Sequence, residues 1–87
     1  METGDAPLID DVRDLLVKTL GIEDRAGALD AATPLFGTLP ELDSMSVLEL
    51  VYAIEQRFGV EVEGDEVTVE VFETLGNLTE FVAGKLA

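Results

Sequence analysis

Neither cysteine nor histidine occurs anywhere in the 87 residues. Disulfides, thiolate nucleophiles, imidazole bases and the usual zinc ligand sets are therefore excluded together. A hydrolase triad cannot be assembled around any serine, because no imidazole exists to take its proton. Basic residues are scarce: five Lys and Arg stand against nineteen Asp and Glu, a net charge of −14. Nucleic acid and anionic membranes are disfavoured as partners, since their phosphates would be repelled. A basic protein surface would be attracted and steered in. No apolar run is long enough to span a bilayer, and no basic segment followed by an apolar run marks a signal peptide. Membrane insertion is not expected, and a cytoplasmic protein is. Self-contained catalysis is not expected either.

What is present is a chain that can fold. Hydrophobic residues make up 47%, which argues for a core despite the charge. The length suits one small domain over residues 1–87, with 1–6 as a frayed start. Pro7 fits a first helical turn, and Leu8, Ile9, Val12, Leu15, Leu16 and Leu20 repeat at helical spacing up to a stop at Gly21. Residues 22–42 form a long connection, pinned by Ile22, Leu29, Leu35, Phe36, Leu39 and Leu42, with a short helical turn expected within 25–32. From 60 to 71, valines alternate with polar residues around Gly64-Asp65, a local pattern typical of a β-hairpin. An isolated hairpin among helices would be marginal. Thr74 can cap a last helix with Leu75, Leu78, Phe81, Val82 and Leu86 as its stripe, and Gly76 should weaken its first turn.

The stretch Leu39 to Phe58 organises the rest. Pro40 favours an extended loop, and Asp43 and Ser44 are both residue types that cap helices. Val47, Leu50, Val51, Ile54 and Phe58 then form a core stripe, closed by Gly59. A second side carries Met45, Leu48, Glu49, Tyr52, Glu55 and Gln56. It reads either as a wide core stripe with scatter or as an exposed docking patch, apolar at the centre and acidic at the rim. Acids crowd here: ten of them (Glu41, Asp43, Glu49, Glu55, Glu61, Glu63, Asp65, Glu66, Glu70, Glu73) lie between 41 and 73, against Arg57 alone. Solubility accounts for part of this excess, but not for its position.

Asp43-Ser44-Met45 at the head of an amphipathic helix, in a small acidic chain, resembles the Asp-Ser-Leu motif of acyl carrier proteins, with the likeness running from about Val12 to Leu86. The resemblance implies an all-α four-helix bundle with three longer helices, a long first loop and one short third helix near 68–73, capped by Thr68. It implies that Ser44, which taken alone reads as an ordinary N-cap, carries a 4′-phosphopantetheine arm derived from coenzyme A. Asp43 would be read by the phosphopantetheinyl transferase. Met45, Leu48, Glu49, Tyr52 and Glu55 match positions through which carriers dock on acyl-transferring or acyl-activating enzymes with basic surfaces. An acyl chain would be shielded near Val51, Ile54, Val62, Phe72 and Leu75. A non-catalytic, monomeric shuttle is expected.

The match has departures. Fatty-acid carriers read Gly-Ala-Asp-Ser-Leu where this chain has Glu-Leu-Asp-Ser-Met, and Ser46, Gln56 and Arg57 stand where acids are usual. That pattern points to a specialised carrier rather than the housekeeping fatty-acid one. The Gly-Gly-x-Ser signature of peptidyl carriers is missing. Two other classes are an acidic interaction module without a prosthetic group and a calcium-binding protein, though no EF-hand loop exists to support the latter.

Overall fold

The computed structural model describes residues 8–86, apart from the side chains at 37 and 38. The expectations for a frayed 1–6 and for Pro7 lie outside that range. Four α-helices follow in order: α1 (Leu8–Leu20), the single turn α2 (Leu35–Thr38), α3 (Ser44–Phe58) and α4 (Leu75–Leu86). Short 3-10 turns occupy Glu23–Ala28, Gly64–Glu66 and Glu70–Phe72. Among the described residues there is no strand, only an isolated bridge between Pro34 and Thr74. Among the described residues no helix is long and apolar enough to cross a membrane.

The three longer helices form where periodicity and end signals agree. In α1, Asp10 and Asp11 lie in the first turn and Lys18 in the last, the order the helix dipole favours. Gly21 at φ 70° and Gly59 at φ 68° end α1 and α3 in the left-handed region, where glycine has no Cβ penalty. The core is wholly apolar: Val12, Leu16 and Val17 of α1, Leu50 and Ile54 of α3, and Leu75, Leu78 and Val82 of α4 meet Phe72 and five anchors from the first connection. Val17 joins this set although the stripe read from the sequence omits it. The anchors are Ile22, Leu29, Leu35, Leu39 and Leu42, whereas Phe36, expected beside them, is exposed.

The long connection is ordered by its own backbone pairing. Leu35 N–H donates to Glu73 O (3.0 Å), Leu75 N–H to Thr33 O (3.2 Å) and Gly76 N–H to Ala31 O (2.9 Å). Asp30 and Thr33 close the turn between these contacts through side-chain hydrogen bonds. Gly76 therefore has a different role from the weak helix former expected. A Cβ there would lie 2.9 Å from the Ala31 carbonyl oxygen, a backbone atom with little room to yield. Gly76→Ala should destabilise the fold by about 1–2 kcal/mol, because overpacking outweighs the gain in helix propensity. Urea unfolding measures this, and a stabilised variant would refute the close approach.

The valine alternation does not make a hairpin. Residues 60–63 carry no regular structure and lead, with Glu63 extended, into the Gly64–Glu66 turn, where Glu63 and Glu66 satisfy each other's backbone N–H groups in a capping box. The short third helix is a 3-10 turn at Glu70–Phe72, tighter than the span expected. Thr68 does not cap it. Val69 is the N-cap and offers no side-chain bond, while the Thr68 backbone carbonyl accepts from Val71 N–H (3.2 Å). The β-branched Val69 and Val71 flank Glu70, and such residues extend a helix poorly. The turn expected at 25–32 occupies Glu23–Ala28.

Candidate functional site

The site is a helix start with a groove beside it. Asp43, in extended conformation, is the N-cap of α3, and its Oδ1 accepts the Ser46 N–H at 2.9 Å. The Asp43 carbonyl accepts the Val47 N–H at 2.9 Å and opens the helical ladder. The Ser46 N–H, above all, holds the Asp43 carboxyl below the usual carboxylate range. With the cap filled by Asp43, Ser44 becomes the first helical residue, exposed to solvent. Its neighbour Ser46 is committed differently, donating its hydroxyl to the Glu41 carbonyl at 2.8 Å.

One reason for this arrangement lies in the loop before α3. Leu39 and Leu42 are buried on either side of Pro40 and Glu41, so the chain enters the helix from an anchored position. Glu41 pairs with Arg25, which first of all holds its carboxyl below the ordinary range. Ser44 borders a groove of about 270 Å³ whose other walls are Phe36, Val47, Val67, Thr68, Val69 and Phe72. Phe36 and Phe72 meet edge to face there, with centroids 6.4 Å apart. A wider hollow of about 450 Å³, lined by Thr68, Val71, Glu73, Asn77 and Phe81 among others, contains no residue of α3.

Of the five docking candidates, three apolar ones are open to solvent: Met45 is 68% exposed, Leu48 63% and Tyr52 63%. The wide-core reading of that helix side is therefore set aside. Glu49 is exposed beside them. Glu55 is half-buried, and its Oε2 accepts the Val62 N–H at 2.9 Å, so it braces the loop after α3. The residues expected to shield an acyl chain separate: Ile54, Phe72 and Leu75 lie in the closed core, and Val51 and Val62 are half-buried. Only Phe72 also lines the groove beside Ser44. Val67 and Val69, which supply much of that wall, were legible only as part of a misleading alternation.

All five cations sit in intramolecular pairs: Arg13 with Asp10, Lys18 with Asp14, Arg25 with Glu41, Arg57 with Asp11 and Asp14, and Lys85 with Glu66. Arg57, at 3.6 and 3.7 Å from its partners, thus joins α3 to α1. What faces outward around Ser44 is apolar or acidic. Among the described residues no cluster of acids could hold a metal ion.

These features suit a covalently borne anionic group. The exposed hydroxyl is not needed as a cap, the helix N-terminus favours negative charge, and an apolar groove adjoins it.

Comparison with known proteins bears directly on this. A family model described as "Phosphopantetheine attachment site" matches residues 10–82. An acyl carrier protein of Petrotoga mobilis is 30% identical over 79 residues, covering 91% of this chain and 87% of its own length. The solution structure of a holo acyl carrier protein from Nitrosomonas europaea superposes with a TM-score of 0.85 at 40% identity, covering 93% of this chain and 98% of that one. A capped helix presenting a serine, an all-α bundle and these likenesses agree, and the chain belongs to the acyl carrier protein family, whose prosthetic group is phosphopantetheine.

Proposed function

We propose that Ser44 is the residue that bears 4′-phosphopantetheine and that this chain is a shuttle of a specialised acyl-transfer pathway. The observation that carries the reading is the division of labour at the start of α3: Asp43 caps the helix, leaving the Ser44 hydroxyl exposed. When attached, the group supplies a thiol that holds acyl intermediates as thioesters. The chain's own residues present it. The N-terminal turn of α3 favours a phosphodiester, and Phe36, Val47, Val67, Val69 and Phe72 offer apolar surface beside it.

Incubation with coenzyme A, magnesium and a broad-specificity phosphopantetheinyl transferase tests this, read by intact mass. A gain of one arm supports it. No gain, with the transferase active on another carrier, would favour the acidic interaction module instead.

The pathway reading rests on what faces outward along α3. Ser46 holds a loop carbonyl, Arg57 pairs with α1, and Gln56 is neutral, so Glu49 is the one carboxylate among Met45, Leu48 and Tyr52. A polyketide, lipid or aminoacyl system with its own enzymes suits this face better than a partner set tuned to an acid-rich helix. Partners are the transferase and acyl-handling enzymes whose basic rim surrounds an apolar centre, and they are met by a monomer in the cytoplasm. Met45, Leu48, Glu49, Tyr52 and Glu55 form the docking set, with Glu55 acting through the loop it braces.

Leu48→Ala and Tyr52→Ala should each raise the KM of partner enzymes by roughly 5- to 30-fold, the effect of about 1–2 kcal/mol at an apolar contact centre. Glu49→Gln should have a smaller effect that vanishes at high salt. Steady-state kinetics over a salt series separates the two contributions. A larger loss at Glu49 than at Leu48 would reverse the assignment.

A further inference from the structure

The loop that delivers Ser44 is held by more than its apolar anchors. Leu39 and Leu42 fix its depth, yet two buried pegs leave a segment able to pivot about the line between them. Glu41 lies between those pegs, and its carboxylate accepts a hydrogen bond from Arg25, sixteen residues away on the Glu23–Ala28 turn. Its second oxygen, Oε1, is shielded from solvent and has no partner among the described residues, so the arrangement depends on Arg25. The backbone carbonyl of the same residue accepts the Ser46 hydroxyl at 2.8 Å. Ser46 in turn donates its N–H to Asp43 at 2.9 Å. A polar chain therefore runs from Arg25 through Glu41 and Ser46 to Asp43, and Ser44 lies between its last two members. The Glu23–Ala28 turn is itself fixed, with Ile22 buried before it and bonded to Val17 O at 2.8 Å.

We propose that Arg25 and Glu41 are positioning residues for arm transfer onto Ser44, an inference that rests on reading Ser44 as the attachment residue. In that transfer the Ser44 oxygen forms a bond to the phosphorus next to pantetheine, and the pyrophosphate P–O bond of coenzyme A breaks. Adenosine bisphosphate leaves with the electron pair, and the hydroxyl proton passes to a base of the transferase. Displacement at phosphorus requires an aimed oxygen, and a misplacement of about 1 Å can cost on the order of a hundredfold in rate. The pair itself is only half-buried, so it adds little to global stability. Its effect falls on the attitude of the loop. Docking is left to the side chains of Met45, Leu48 and Tyr52, none of which takes part in the hydrogen bonds of that chain.

The test follows loading by intact mass over time while the carrier concentration is varied, with thermal unfolding of each variant in parallel. Arg25→Ala and Glu41→Gln should each lower the kcat of loading about tenfold with KM unchanged. Arg25→Lys should recover most of that loss, and the exchanged pair Arg25→Glu with Glu41→Arg should recover part of it. Glu41→Gln keeps the side-chain volume and the backbone carbonyl that Ser46 uses, so it reads positioning even where Arg25→Ala folds poorly. Loading of both single variants at the wild-type kcat would overturn the proposal. So would a loss confined to KM, or one that follows the unfolding temperature and is rescued by neither replacement. Failure of the unaltered chain to load, with the transferase active on another carrier, would instead overturn the Ser44 assignment beneath it.

Discussion

Ser44→Ala should abolish phosphopantetheine loading altogether while leaving the fold intact. The two halves of this expectation come from the same geometry. Asp43 caps α3, so the helix does not need the Ser44 side chain. Alanine is a good helix former, and an exposed first-turn substitution should change stability by no more than about 0.5 kcal/mol. Loss of the hydroxyl, by contrast, removes the only oxygen that the helix start presents beside the groove without a structural task. Ser46 is the nearest alternative, but its hydroxyl is bonded to the Glu41 carbonyl. Thr68 also lines the groove, but it belongs to the segment after α3 and not to the helix start. Intact mass and thermal unfolding of the variant check both halves. An arm on Ser44→Ala would move the attachment to another hydroxyl, and unfolding of the variant would mean that Ser44 supports the helix after all.

Asp43 gives the converse case. Its carboxylate holds the Ser46 N–H, so removing it weakens the helix start that aims Ser44. The cap and the proposed attachment residue are neighbours with separable tasks. The sequence offers two good caps side by side, and composition alone cannot say which of them the backbone will use.

The three longer helices, α1, α3 and α4, were legible because periodicity, end residues and length agreed in each. The single turn α2 at Leu35–Thr38 is too short to carry a period and reads as loop. Leu50, Ile54, Leu75, Leu78 and Val82 are where a 3.6-residue repeat places a core. The segment 60–71 was not legible from local pattern, since alternating valines carry the period of a strand. What decides it is the absence of a partner edge: the chain turns at Gly64–Glu66 and again at Glu70–Phe72, putting Phe72 inside and Val69 outside. Phe36 misled for the opposite reason. It lies one residue after the buried Leu35, about 100° further round the helical turn, and lines the groove instead of entering the core. The Arg25–Glu41 pair left no signal, because two charges sixteen residues apart in irregular chain have no periodicity to betray their contact. The docking side was the intermediate case. Its residues were named from their spacing, but exposure of Met45, Leu48 and Tyr52 depends on no other element covering them, which only the packed structure decides.

Phe72→Ala should be the most destabilising single truncation at the border between core and site. The ring is buried at the end of a 3-10 turn, in contact with the core on one side and lining the groove beside Ser44 on the other. Deleting a buried phenylalanine costs about 3–5 kcal/mol through lost transfer energy and the cavity left behind. A domain of this length has only about 4–13 kcal/mol of stability to lose, so a large share would go. The edge-to-face contact with Phe36 would go as well, and the groove would open into the core. Phe36→Ala is the matched control. Its ring lines the same groove and makes the same aromatic contact, but it is 43% exposed, so a loss of only about 1 kcal/mol is expected. Urea unfolding of the two variants, with the slope against denaturant monitored for two-state behaviour, gives the comparison directly. Equal losses would mean that both rings are core residues. A small loss at Phe72 would mean that the 3-10 turn does not close the bundle. A large loss at Phe72 with a small one at Phe36 would show that the floor of the groove beside Ser44 is part of the hydrophobic core, while its outer lip is not.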